Sequence, residues 1–426
     1  MAFLLILIGW WLACLLLLWA WKRHLFHQTW HEPYFGEAAI LIESDDWGPG
    51  EKFHAERLHG LLDCLSKHTD STKRPAVLTA DIVLALPDIK KIKLTTPPTY
   101  QRQFLDEASP KIYQAMKLGI SAGTLVPQLH GLEHCNGEAL THLYSQQDPR
   151  VEKIFTDDNW RDWEELDSLL QGHYVDGSHL PSTPISSEKA EEIVTTATAA
   201  FEQLFGHPSL STVAPCYLWN DNIETAWQAQ GIRYIQTAGY RCTGRDQNGN
   251  YIQAPQLIRP GDKNASGQIH LVRNVMYEPV DGQNTPETAY EEALQCYRQA
   301  LPIIISTHRY NFTRSEKEYN NSLSGLDKLL STLGESLPQT RFLASPELGE
   351  SLDNPTNPVI NRFNKTAWPA LTPMTGLSKI SAFLYRLKYR HPKLVLLSLA
   401  TGLILPAALI ILLKNISPPG KGTDED

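Results

Sequence analysis

Residues 38–48 read AAILIESDDWG, and residues 125–134 read LVPQLHGLEH. Each is a short apolar run of strand length that breaks off into polar, ligand-type side chains. Asp45 and Asp46 follow the first run, and His130 and His134 follow the second. Unbroken apolar runs of this length suit strands buried on both faces, as in parallel sheets. The same pattern recurs on both sides. Strand-like runs cover residues 76–86, 210–214, 233–237, 270–276, 302–306 and 341–344, and helical spacing covers 53–65, 188–205, 222–230, 288–300 and 323–333. Strands interleaved with helices predict an α/β domain with a parallel sheet. The number of strands suits a barrel better than a small open sheet. Trp219, Asn220 and His308 also lie just past strand-like runs, so polar residues gather where the strands of a parallel fold end.

Taken singly, these residues are weak signals. Asp-Asp before Trp-Gly-Pro-Gly is ordinary turn chemistry, and a chain with 15 histidines contains chance pairs four apart. Together they make a constellation. Two imidazoles at HxxxH spacing share one face of a helical turn and reach one cation. With one carboxylate they form a site that leaves positions open for water and substrate. Of the neighbouring carboxylates Asp45 and Asp46, one can ligate while the other acts as base. His308, leaving the most apolar strand, has the tunable proton affinity of a general acid. Glu133, inside the pair, could be an outer partner of the ligands but is expected to face solvent.

In the order SDDWG, HGLEH, APCYLWND and STHR, the motifs resemble the polysaccharide deacetylase (NodB-homology) superfamily, carbohydrate esterase family four in its wider sense. The resemblance runs from about residue 38 to 352 and includes RFLASPEL at 341–348. It implies a distorted (β/α)7 barrel, with Asp45 as base, His308 as acid, and Asp46, His130 and His134 as ligands of a divalent metal, zinc first. Pro215, Tyr217 and Trp219 would line the substrate groove, with Asn220 and Arg273 as further substrate-binding residues. The implied activity is metal-dependent removal of an N-acyl group, first of all acetyl, from an amino sugar in an envelope polysaccharide or a lipid-linked glycan. Two departures stand out. Val213 occupies the place of the family's base-orienting Arg, for which Arg273 is the substitute on hand, and residues 87–110 form an insertion. The rival readings are a catalytically degenerate glycan-binding membrane protein, and a barrel glycoside hydrolase using Asp45, Asp46 and Glu278.

Two stretches, 2–21 and 394–413, are apolar for about the length a helix needs to cross a bilayer. They predict a two-pass inner-membrane protein: a span at 2–21, a catalytic domain at 31–352, a linker and basic juxtamembrane segment at 353–393, a span at 394–413, and a polar tail at 414–426. Lys22, Arg23, Lys379, Arg386, Lys388, Arg390 and Lys393 flank the spans on the inner side, which by the positive-inside rule puts the catalytic domain in the cytoplasm. A periplasmic domain is the competing arrangement. The basic segment could rest on anionic lipid headgroups. A net charge of −9 with no basic stripe excludes nucleic acid as a partner. Six scattered cysteines without a CxxC pair read as free thiols.

Overall fold

The computed structural model describes residues 1–337, 339–353 and 373–394. They fall into two compact units. The smaller comprises residues 1–38, 294–302 and the described part of the chain after 353. Its helix α1 (Ala2–His31) is almost wholly exposed and apolar over its first two thirds, long and apolar enough by composition to cross a membrane. Non-helical backbone at Lys22 kinks it where the apolar run ends. The last helix of the chain described, Pro373–Arg390, carries Arg386, which is completely buried. Its guanidinium donates to the carbonyls of Pro33, Gln299 and Ala300 and to Glu32, and lies 3.9 Å over the Tyr34 ring. Arg390 donates twice to the same Glu32. Two of the basic residues expected to meet lipid headgroups are therefore engaged within the protein. Of the expected second span, 394–413, all but Leu394 lies outside the described residues, as does most of the linker.

The larger unit is α/β, built on a parallel sheet. Its strands are β1 (Ala38–Trp47), β2 (Leu78–Ile82), β3 (Leu125–Leu129), β4 (Ser211–Val213), β5 (Tyr234–Thr237), β6 (Ile269–Val272), β7 (Val275–Met276), β8 (Ile303–His308) and β9 (Thr340–Phe342). Their order is β6-β5-β4-β3-β2-β1-β8-β7, with β9 added on β1. All the pairs along this path run parallel. β1 is buried along its entire length, its apolar first half and the polar residues 43–46 alike. The helices that follow the strands include α2 (His54–Ser66) after β1, α3 (Pro110–Ser121), α4 (Ser187–Phe205), α5 (Asp221–Ala229) and α6 (Glu316–Ser336) after β8.

The two edge strands, β6 and β7, are consecutive in the chain and separated only by Arg273 and Asn274. Two residues span roughly 10 Å at most, so the sheet curls until its edges meet. Arg273 donates its backbone N–H to Thr237 at the end of β5, and Asn274 exchanges bonds with Ile304 of β8. The run 270–276, expected as one strand, is thus two strands with a seam between them.

Candidate functional site

Parallel strands in register bring their carboxyl ends to one edge. Asp45 stands directly opposite His308 in the β1–β8 pair. Past Ser44 the register of β1 against β2 shifts, and Asp46 takes a left-handed conformation at φ 69°, which Asp tolerates better than most residues. This kink re-aims the second carboxylate. Gly48 follows where a Cβ would come within 2.3 Å of the Val83 carbonyl oxygen. The residues after β3 are not a helical turn, as the HxxxH spacing suggested. They form an irregular loop, with Gly131 at φ 75° and the Leu132 carbonyl accepting from Leu84 and Ala85. The two imidazoles converge because this loop folds back over the end of β2.

Asp46 Oδ1 lies 3.3 Å from His130 Nε2 and 3.2 Å from His134 Nε2, and all three side chains are buried. That oxygen makes no hydrogen bond. His130 Nδ1 meets the Val213 carbonyl at 3.0 Å, which turns Nε2 toward Asp46. Burial lowers the His134 proton affinity, to about 4, so its ring is neutral. Two imidazoles and a carboxylate whose buried oxygen accepts no hydrogen bond are a donor set that could hold a divalent cation.

Asp45 is held by Arg273, which projects from the seam. Nη1 donates to Oδ2 and Nη2 to Oδ1, each at 2.6 Å. Burial would raise the carboxyl pKa, but the guanidinium overrides it and holds Asp45 well below the usual carboxylate range. Arg273 also donates to Glu43 at 2.7 Å, Asp81 at 3.1 Å and the Tyr217 hydroxyl at 3.0 Å. Three buried carboxylates thus share one cation. Burial and the neighbouring Asp45 push Asp81 well above its ordinary value.

His308 Nε2 faces Asp45 Oδ2 at 3.7 Å, and its Nδ1 meets Glu278 Oε1 at 2.6 Å. Asn311 donates to the other oxygen of Glu278. Burial would lower the His308 pKa, but the Glu278 charge and hydrogen bond outweigh it and raise it to about 10. About a third of this side chain is exposed, which makes it the open side of the site.

Tyr217 also reaches the centre. Cys216 and Tyr217 both have positive φ, a tight turn that swings the phenol toward Arg273. Other expected groove residues lie elsewhere. Pro215 is buried behind Gly131. Trp219 is 1% exposed and its indole donates to Glu224, so it belongs to the core. Asn220 caps α5, accepting from the Ile223 N–H. Glu133, expected in solvent, is 1% exposed and accepts from Tyr100 and Arg102 of the 87–110 insertion. Trp163 was not foreseen. It is buried near-parallel to His134, 6.4 Å between centroids, with the Arg309 guanidinium 4.3 Å from its own ring. Arg309 is in turn paired with Glu164. Glu43 and Asp81 were likewise missed, since a lone acid inside an apolar strand carries no spacing signal.

No family model and no curated protein matches the chain. Among solved structures it is similar to peptidoglycan deacetylase PdaC from Bacillus subtilis, at 10% identity over 76% of this chain and 93% of that one, with a TM-score of 0.35. It is also similar to a family 4 acetyl xylan esterase from Clostridium thermocellum in complex with cobalt, at 9% identity over 73% and 89% of the two chains and a TM-score of 0.36. A family 4 carbohydrate esterase from Streptomyces lividans matches at 9% identity over 71% and 90%, with a TM-score of 0.32. At these values the likeness assigns no activity to this chain, and the chemistry has to be argued from its residues.

Proposed function

We propose that this chain is a metal-dependent hydrolase that removes an N-acyl group, first of all acetyl, from an amino sugar. The observation that carries the reading is the buried Asp46 oxygen, without a hydrogen bond and within 3.3 Å of two imidazole nitrogens. Asp46, His130 and His134 would hold a divalent cation, zinc by the donor set. Such a cation polarises a carbonyl and lowers the pKa of water. Asp45, kept ionised and fixed in orientation by Arg273, takes a proton at Oδ2 from the attacking water. His308, protonated below about pH 10, gives its Nε2 proton to the departing amine. Glu278 holds the His308 ring so that Nε2 faces Asp45. Arg273 does for Asp45 what an Arg at position 213 would do in the family, and it reaches the site from the seam of a distorted (β/α)7 barrel. The glycosidase reading loses its support, because Asp45 is paired with Arg273 and Glu278 with His308.

The substrate class is an N-acylated amino sugar, polymeric or lipid-linked. In this reading α1 anchors the chain in the membrane and the catalytic unit faces the cytoplasm. The test is acetate release from N-acetylated amino-sugar oligomers and from lipid-linked amino sugars. The full chain is expected to release acetate after chelation and reloading with zinc. Asp45→Asn and His308→Ala are expected to lower kcat by roughly 100- to 10,000-fold while zinc content stays the same. Wild-type protein that binds zinc but releases no acyl group from either substrate class would overturn the hydrolase.

A further inference from the structure

A second set of ligand-type side chains lies away from this centre, on the outer helices. Cys64 is in the last turn of α2, and His68 is one helical turn further along the chain. Asp327 projects from α6, which packs against α2. His68 Nε2 lies 2.9 Å and Cys64 Sγ 3.8 Å from the same oxygen, Asp327 Oδ1. The thiol also points toward the Leu323 carbonyl, 4.0 Å away. The sulfur, nitrogen and oxygen atoms all lie within 4.8 Å of one another. Cys64 is buried, while the Asp327 side chain is half exposed.

We infer that Cys64, His68 and Asp327 form a second divalent-cation site, of zinc class, that clamps α2 to α6. Zinc takes thiolate, imidazole and carboxylate ligands at about 2.0–2.3 Å, which places pairs of ligand atoms about 3–4 Å apart around a tetrahedron. The 3.8 Å from Cys64 to Asp327 falls at that spacing, and the 2.9 Å from His68, now a hydrogen bond, would have to open slightly to admit the ion. The exposed side of Asp327 leaves the fourth position to water. A hard cation such as magnesium would not select a buried sulfur.

The clamp has a structural meaning. α2 follows β1, which ends in Asp45 and Asp46, and α6 follows β8, which ends in His308. A metal bridge between the helices would tie together the two adjacent strand–helix units that carry the proposed base and acid.

Cobalt distinguishes this site from Asp46, His130 and His134, which include no sulfur. Cobalt bound to a thiolate shows a charge-transfer band in the near ultraviolet. The metal-stripped full chain is titrated with cobalt, alongside Cys64→Ser, His68→Ala, Asp327→Asn and His130→Ala, and the far-ultraviolet circular dichroism of each is compared. The expected result is a band that persists in His130→Ala and is lost in Cys64→Ser. Its cobalt affinity should fall more than about tenfold in His68→Ala and in Asp327→Asn. If Cys64→Ser does not fold, the partly exposed His68→Ala and Asp327→Asn decide alone. A wild type without the band, a band that survives Cys64→Ser, or affinities unchanged in His68→Ala and Asp327→Asn would overturn the site. None of these outcomes depends on whether the chain releases acetate.

Discussion

Asp45 and His308 face each other because each closes one of two adjacent parallel strands, in register. Each is gripped on its far side by a group of opposite charge, Arg273 behind Asp45 and Glu278 behind His308. A carboxylate held ionised and an imidazole held protonated, 3.7 Å apart, are the proton acceptor and proton donor that the proposed hydrolysis uses. The Glu278 charge raises the His308 pKa, so the acid form is fully present at neutral pH and is lost only as pH rises through about 10. Glu278→Gln removes that charge. The alkaline limb of kcat/KM is then expected to move down by at least about one pH unit, read from a pH–rate profile. An unmoved limb would show that Glu278 does not govern the acid. At this scale the residues proposed to react could be picked out in the sequence, because each stands at the end of an apolar run. The groove was not. Whether Trp219 points into a groove or into the core depends on the turn at Cys216 and Tyr217, whose positive φ values no spacing announces.

Among elements, the seam between β6 and β7 decides the most. Its two residues let the sheet edges meet, and they deliver Arg273 to three carboxylates that come from β1 and β2. Apolar periodicity gave these strands within a few residues but could not show that the 270–276 run breaks, since the break is imposed by long-range closure. The HGLEH segment misled in the opposite way: its spacing suited a helix, and the fold makes it a loop braced on the backbone of Leu84 and Ala85. Replacing Arg273 by Ala leaves Glu43, Asp45 and Asp81 buried around an empty centre. The expected loss is about 3–5 kcal/mol of stability, measured by denaturant unfolding, together with loss of acetate release. Arg273→Lys restores charge without the paired geometry, so it is expected to recover more stability than activity. An Arg273→Ala protein as stable as wild type would contradict the buried network.

For the molecule as a whole, the larger unit was legible as α/β because strand and helix periodicities alternate along most of it. The smaller unit was legible only as two apolar runs. That Arg386 and Arg390 serve Glu32 and the carbonyls beside it could not be read from a basic stretch of sequence. The proposed facing predicts a protease pattern: the larger unit is protected in intact spheroplasts and cleaved after lysis. Cleavage in intact spheroplasts would place it on the other side of the membrane. A cation held by Asp46, His130 and His134 is the centre of the proposed chemistry. Zinc titration of the metal-stripped full chain in a Cys64→Ser background, which silences the outer site, measures that cation alone. The expected result is one zinc per chain, lost on adding His130→Ala. No zinc bound in the Cys64→Ser chain, or the same stoichiometry and affinity with and without His130, would contradict it.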